Sequence, residues 1–172
     1  MQNIIIKQAA ITDLKTLINL SKQTFIETYA DKNTAANTQK FIQNSFNEEK
    51  LSAELNNPRS LFFIVWNGDA AVGYIKLNTG NAQTEPQGDD ALEIERIYIK
   101  NSHQGKNLGH LLYEKAAEIA HLQHKTWIWL GVWEKNPKAK AFYIKMGFVE
   151  FDSHLFMVGD EEQTDILMQK NI

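Results

Sequence analysis

Glu93 and Glu95 stand two residues apart in the run Glu93–Ile94–Glu95–Arg96–Ile97–Tyr98–Ile99, and Gln104–Gly105–Lys106–Asn107–Leu108–Gly109 follows after a short polar turn. Residues two apart on a strand share a face, so both acids point one way while Ile94 and Arg96 point the other. Such a pair can take a proton from a substrate or hold a cation. The plainer alternative is that both are paired with cations or solvated at an open edge, because charges are seldom buried unpaired. The glycine-bearing segment suits different chemistry. It leads into an apolar helical pattern, and the first amides of a helix lack internal partners and point outward with the positive end of the dipole, which makes an anion cradle. Its spacing is neither G-x-G-x-x-G nor G-x-x-x-x-G-K-[ST], so nicotinamide cofactors and nucleoside triphosphates are disfavoured and another phosphate ligand is needed.

These residues require a strand, a turn and a helix to position them, and the rest of the chain reads as their support. Ile4–Ile5–Ile6 predicts a first strand. Thr12–Asp13 caps a helix whose apolar positions are Leu14, Leu17, Ile18 and Phe25, fading near Tyr29. Residues 33–45 carry weaker helical signals, whereas Asn47 caps a short helix presenting Leu51 and Leu55 before Pro58 stops it. Two strand-like runs, residues 61–66 and 72–77, are joined through Asn67–Gly68–Asp69 as a hairpin. Residues 80–90 read as a polar loop, either a solvated turn or an acidic rim carrying Glu85, Asp89 and Asp90. Leu108, Leu111, Leu112, Ala116, Ile119 and Ala120 form one apolar helical face. Residues 127–132 predict a buried strand, and Asn136–Pro137 opens a helix that Gly147 ends. Residues 151–158 and 165–169 predict a final strand pair with a polar segment, 159–164, between them. The fold class is therefore α+β, an α/β sandwich with a central sheet flanked by helices, and residues 1–172 are expected to form one domain.

Composition narrows the function. With no cysteine there is neither a disulfide framework nor a thiolate nucleophile. His103, His110, His121, His124 and His154 form no convincing metal set, and no G-x-S-x-G elbow supports a serine hydrolase. No apolar run approaches the ~18 residues of a membrane span, so a cytoplasmic protein without a membrane partner is expected. A formal charge of −3, with dispersed lysines, offers nothing to nucleic acid and accommodates cationic substrates more easily.

Gln104–Gly105–Lys106–Asn107–Leu108–Gly109, after Ile97–Tyr98–Ile99, resembles the acetyl-CoA loop [QR]-x-x-G-x-[GA] of the GCN5-related N-acetyltransferases, the GNAT proteins, with Asn107 where that family usually has its first glycine. Asparagine tolerates left-handed backbone better than most residues, so the loop can survive the change. Asn136–Pro137–Lys138–Ala139–Lys140–Ala141–Phe142–Tyr143–Ile144–Lys145–Met146–Gly147–Phe148 resembles the family's later motif N-x-x-A-x-x-[FL]-Y-x-x-x-G-F. Segments 92–99, 129–136 and 159–165 look most like the bacterial Pai-type spermidine/spermine acetyltransferases.

The resemblance implies a GNAT fold with a mixed, mainly antiparallel sheet, and acetyl-CoA as the acyl donor. It implies that Gln104, Gly105, Lys106, Asn107, Leu108 and Gly109 hold the pyrophosphate. Ile97, Tyr98 and Ile99 would line the pantetheine arm, with Ile97 N–H also serving as oxyanion donor. Tyr143 stands at the general-acid position, although spacing alone makes it a packed helix tyrosine beside Phe142. Asn136 is a helix cap that family members also turn toward the pantetheine arm. Glu95 matches the acid that accepts the amine proton, directly or through water, and Glu93 would help bind the ammonium. Together with Glu27, Asp31, Glu85, Asp89, Asp90 and Asp160 to Glu162, these acids could complement an extended polycation if they converge. The expected function is acetyl transfer to a primary amine of a polyamine such as spermidine or spermine, by direct attack in a ternary complex. Acetylation of an amino acid, an antibiotic or a protein N-terminus is the enzyme alternative. A non-catalytic acyl-CoA-sensing module is the other, against which an intact Tyr143 and Glu95 argue. A homodimer is left open.

Overall fold

The computed structural model describes residues 3–172, so the first two residues of the expected domain lie outside the described residues. The strand-like runs on either side of the Asn67–Gly68–Asp69 turn become β2 (Ser60–Asn67) and β3 (Ala70–Thr79), antiparallel neighbours. β1 (Ile4–Gln8) pairs with β2 on one side, and β4 (Ala91–Ile99) pairs with β3 on the other. β5 (Trp127–Trp133), β6 (Val149–Val158) and β7 (Glu161–Asn171) complete a seven-stranded sheet in the order β1-β2-β3-β4-β5-β7-β6. Only β4 and β5 run parallel, which makes the sheet mixed and mainly antiparallel as expected. β6 and β7 meet in a tighter hairpin than the sequence suggests. The expected polar connection over 159–164 shrinks to Gly159 and Asp160, because β7 begins at Glu161.

Helices α1 (Leu14–Tyr29), α2 (Ala35–Ser45) and α3 (Glu48–Asn56) cover one face of the sheet, α4 (Leu108–Leu122) and α5 (Pro137–Lys145) the other. Asn47 caps α3 by accepting from Lys50 N at 2.8 Å. Asn136 caps α5 by accepting from Ala139 N at 3.2 Å. Leu112, Ala116 and Ala120 of α4 pack on Ile75, Leu77, Ile94 and Ile128. Leu17, Leu20, Phe25 and Leu51 pack on Phe62, Ile64 and Tyr74. No helix among the described residues is long and apolar enough to cross a membrane.

One irregularity positions the site. Between β3 and β4 the pairing moves from Lys76↔Arg96 to Leu77↔Ile94, leaving Glu95 as an extra residue on β4. Such a bulge reverses the facing of everything beyond it. Ile94 and Ile97 therefore both pack toward α4, while Arg96 and Tyr98 turn toward α1 and α3. The expectation that Ile94 and Arg96 share a face fails for this reason.

Candidate active site

β4 and β5 pair only from Ala91↔Trp127 to Glu93↔Trp129, and beyond that point they part. The gap carries backbone groups with no sheet partner. Lys100 N donates to Val72 O, so by the alternation of an antiparallel ladder Tyr98 and Arg96 bond to β3 while Ile97 and Ile99 turn their amides and carbonyls away from it, into the gap. Two cavities open there, of about 380 Å³ on the α1–α2 side and about 650 Å³ on the α4–α5 side. Ile97, Tyr98, Asn136, Ala139 and Tyr143 line both, so the two form one channel through the splayed sheet.

The larger cavity is a groove bounded by Ile97 and Ile99, by Gln104, Gly105, Asn107, Leu108 and Gly109, and by the first two turns of α5. Asn107 adopts φ 63, ψ 10 as the residue before α4 and makes no side-chain cap. The first bond within α4 runs from Leu111 N to Asn107 O, at 3.2 Å. The amides of Leu108, Gly109 and His110 consequently have no partner within the helix, the arrangement that favours an anion. A Cβ on Gly109 would lie 3.3 Å from the Phe142 ring, so glycine lets α4 and α5 close together at the groove. Gln104 braces the loop, donating to Ile99 O at 3.2 Å and accepting from Lys138 Nζ at 2.6 Å. Lys106 is exposed and lies off the groove, where Lys32 and Lys138 supply the positive charge instead. The apolar Ile97, Ile99, Leu108 and Phe142 beside unpaired amides fit a ligand with a diphosphate and an uncharged arm, as coenzyme A has.

The smaller cavity is walled by rings: Phe25, Tyr29, Phe41, Phe46, Tyr98, Trp133 and Phe156 line it. The Tyr29 and Tyr98 hydroxyls lie 3.3 Å apart and share a hydrogen bond. Burial pushes Tyr29 up to about 12 and Tyr98 well above its ordinary value, so both stay neutral. Tyr98 thus gives its side chain to this cavity and its backbone to β3, leaving Ile97 and Ile99 as the backbone edge of the larger groove. Tyr143 stands at the junction, 7% exposed, and burial raises its phenol too.

The acids do not gather as the sequence suggests. Glu95 lines the smaller cavity but is held by Lys76 at 2.5 Å and Arg96 at 2.9 Å, and accepts from Asn78 at 2.5 Å. Burial alone would raise its carboxyl; Arg96 and Lys76 outweigh that and bring it down to about 2. A carboxylate so occupied is a poor proton acceptor at neutral pH, which weighs against the role expected of it. Glu93 is buried and lines neither cavity, accepting from Thr84 N and Asn78 Nδ2 at 2.9 Å each and from Thr84 Oγ1, which weighs against a contact with the ammonium. Burial raises it despite those bonds. Glu27 sits at the larger groove, where its carboxylate accepts from Asn101 N at 2.7 Å. Asp31 is exposed and lines neither cavity. Asp160 pairs with Lys40 on the surface. A second acid, held by no lysine or arginine among the described residues, lines the ring-walled cavity: Asp165 on β7, one strand beyond Trp133, together with Gln163. The signal was present in the period of β7, where Gln163, Asp165 and Leu167 share a face that a purely structural strand would make apolar.

Residues 14–148 match the model of the acetyltransferase (GNAT) family. An uncharacterized N-acetyltransferase in the pepI 3′ region of Lactobacillus delbrueckii subsp. lactis is 39% identical over 170 residues, covering 99% of this chain and 98% of the relative. A spermidine N(1)-acetyltransferase of Thermoplasma acidophilum is 26% identical over 169 residues, covering 96% of this chain and 95% of that protein. The crystal structure of a PaiA N-acetyltransferase of Thermoplasma acidophilum, in complex with coenzyme A, superposes with a TM-score of 0.82 at 25% identity, covering 99% of each chain. With its splayed β4–β5 pair and its family match over residues 14–148, the chain belongs to the GNAT acetyltransferase family.

Proposed function

We propose that this acetyltransferase moves acetyl from acetyl-CoA to a primary amine of a small polyamine, spermidine or spermine, by direct attack in a ternary complex. The whole chain, residues 1–172, would act as one N-acetyltransferase domain in the cytoplasm. The observation that carries the reading is the channel: an anion-binding groove and a ring-walled cavity that carries the Asp165 carboxylate outside the Glu95 ion pairs meet at Ile97 and Tyr143. Aromatic faces and a carboxylate suit a cationic amine. The likeness to a spermidine N(1)-acetyltransferase supports the finer assignment.

Acetyl-CoA supplies the acetyl thioester and a thiolate leaving group. The α4 amides and Lys138 would hold its diphosphate, and Ile97, Ile99 and Asn136 its arm. Ile97 N–H would donate to the acetyl oxygen as negative charge develops there, a contact worth about 2.7–4 kcal/mol when well placed. The Tyr143 hydroxyl, which has no hydrogen-bond partner among the described residues, would give its proton to the departing sulfur.

Turnover of an amine panel, followed as release of free coenzyme A, tests this. Spermidine should be the better substrate at low salt, with its apparent KM rising with ionic strength more steeply than that of acetyl-CoA. A neutral-tailed monoamine used equally well across that range overturns the polyamine assignment. Preference for peptides with a free N-terminus selects the protein alternative. Coenzyme A binding without turnover of any amine selects the sensing module.

A further inference from the structure

With Glu95 closed into its ion pairs, the cavity still needs a group to take the proton of an ammonium before the nitrogen can attack. Asp165 has the position. It lines the ring-walled cavity, and its Oδ2 lies 3.3 Å from the point a Cβ on Gly131 would occupy, so β5 is cut back beneath it. His154 sits directly opposite on β6, with Nε2 3.7 Å from Asp165 Oδ2. The other nitrogen, Nδ1, is 2.5 Å from Glu85 Oε1 in the loop before β4. Side-chain exposure rises along this row, from 17% at Asp165 to 22% at His154 and 35% at Glu85. The row therefore leads from the cavity to solvent.

We propose that Asp165, His154 and Glu85 are the proton exit of the acetyltransferase, Asp165 meeting the amine and the other two passing its proton to the surface. The inference rests on the function proposed above. The ammonium N–H bond breaks as Asp165 Oδ2 takes the proton, leaving a neutral amine with a free electron pair. The carboxylic acid then gives that proton to His154 Nε2, while the proton on Nδ1 passes to Glu85 Oε1 and from there to water. Net, one proton moves from ammonium to solvent; Asp165 and Glu85 return to carboxylates, and His154, left with its proton on Nε2 instead of Nδ1, regains its starting tautomer by losing one proton to water and taking another on Nδ1 before the next turnover. The long step, from Asp165 to His154, closes to hydrogen-bond range with a shift of less than about 1 Å, and such bonds commonly tighten when substrate binds.

The surroundings suit the task. Tyr29 from α1 and Tyr98 from β4 stand near Asp165 as neutral phenols, each raised in part by the Asp165 charge. Burial lifts Asp165 above the ordinary carboxylate range, with His154 pulling it part of the way back. His154 itself is faced by Glu85 and Asp165. Arg96 and Lys76 are spent on Glu95 and Glu54.

Single-turnover acetyl transfer to spermidine between about pH 6 and 9.5 tests the path. Asp165→Asn should lose ~10²-fold or more at neutral pH and recover as pH rises and solution supplies free amine. His154→Gln and Glu85→Gln should lose less, ~3- to 30-fold, with the same recovery. Coenzyme A affinity by calorimetry should stay unchanged in all three. Variant profiles parallel to the active wild type overturn the path, as does an Asp165→Asn defect confined to KM, which would leave Asp165 a mere anchor. If Asp165→Asn fails to bind coenzyme A through misfolding, Glu85→Gln and His154→Gln, at the less buried positions, decide on the same profile. A wild type that acetylates no amine removes the proposed function and the path together, whereas an active wild type with parallel variants removes the path alone.

Discussion

Lys76 Nζ lies 2.5 Å from Glu95 Oε2 across the β3–β4 pair, and Arg96 Nη2 takes the other oxygen at 2.9 Å. Arg96 and Lys76 also share Glu54 of α3, so two cations and two anions close a network that pins α3 to the sheet beside the cavity. Glu95 falls from its ordinary 4.5 to about 2, and a carboxyl lowered in the folded state adds stability above its unfolded pKa that is lost as pH drops toward the folded one. The contribution is on the order of 3 kcal/mol at neutral pH. Glu95→Gln should therefore cost about 3–5 kcal/mol at pH 7, since it leaves two buried cations to share Glu54 alone. The deficit should shrink between about pH 4.5 and 2, where wild-type Glu95 protonates too. Urea unfolding at several pH values checks this; a deficit independent of pH would mean the network does not hold Glu95 ionised.

Asn107 carries the left-handed turn on which the α4 amides depend. Asn107→Gly should bind coenzyme A at least as tightly as wild type, since no side-chain bond is lost and the backbone conformation becomes unstrained. Asn107→Val should bind about tenfold more weakly or worse, because left-handed backbone costs a typical side chain roughly 1–2 kcal/mol and a β-branched one more. Calorimetry separates the two. Equal affinities would show that the anion cradle does not rely on this residue.

The elements were legible because their signals are local. Asn47 and Asn136 announce helix starts by side-chain capping, and Gly68 announces a hairpin by its positive φ. The groove was legible for the same reason, since backbone amides at a helix start follow from sequence order. The acids of the acceptor cavity were not. Glu93 and Glu95 look equivalent under a two-residue period, but a bulge and their partners Thr84, Lys76 and Arg96 give them separate fates. None of those pairings is local in sequence. Asp165 escaped notice because its meaning comes from His154, Gly131 and Tyr29, on three other elements.

Tyr143→Phe should leave folding intact, because the ring keeps its contacts with Phe142 and Phe148 and the hydroxyl has no hydrogen-bond partner among the described residues. Coenzyme A affinity should change little. The single-turnover rate should fall by about 10²–10⁴-fold, the usual range for losing a general acid. An unchanged rate would reduce Tyr143 to a packing residue.

Gly159 couples the ring-walled cavity to α2. It turns the β6–β7 hairpin at φ +64, and a Cβ there would come within 2.7 Å of the Asn37 backbone. Asn37 Oδ1 accepts from Asp160 N at 3.3 Å, and Gln163 donates to Asn33 at 2.6 Å, so the start of α2 is tied to the strand that carries Asp165. Phe41 of α2 and Phe156 of β6 meet over the cavity with ring centroids 5.7 Å apart. Gly159→Ala adds both strained backbone and a clash that no side-chain rotation relieves, for an expected loss of about 1–3 kcal/mol. Because α2 must move to admit the methyl group, the cavity wall should loosen while the groove at α4 and α5 stays as it is. The apparent KM for spermidine should accordingly rise severalfold with the affinity for coenzyme A unchanged. Thermal unfolding and paired titrations of the two ligands check both halves. A variant that loses stability but keeps its amine KM would mean that α2 packs on the hairpin without shaping the acceptor cavity.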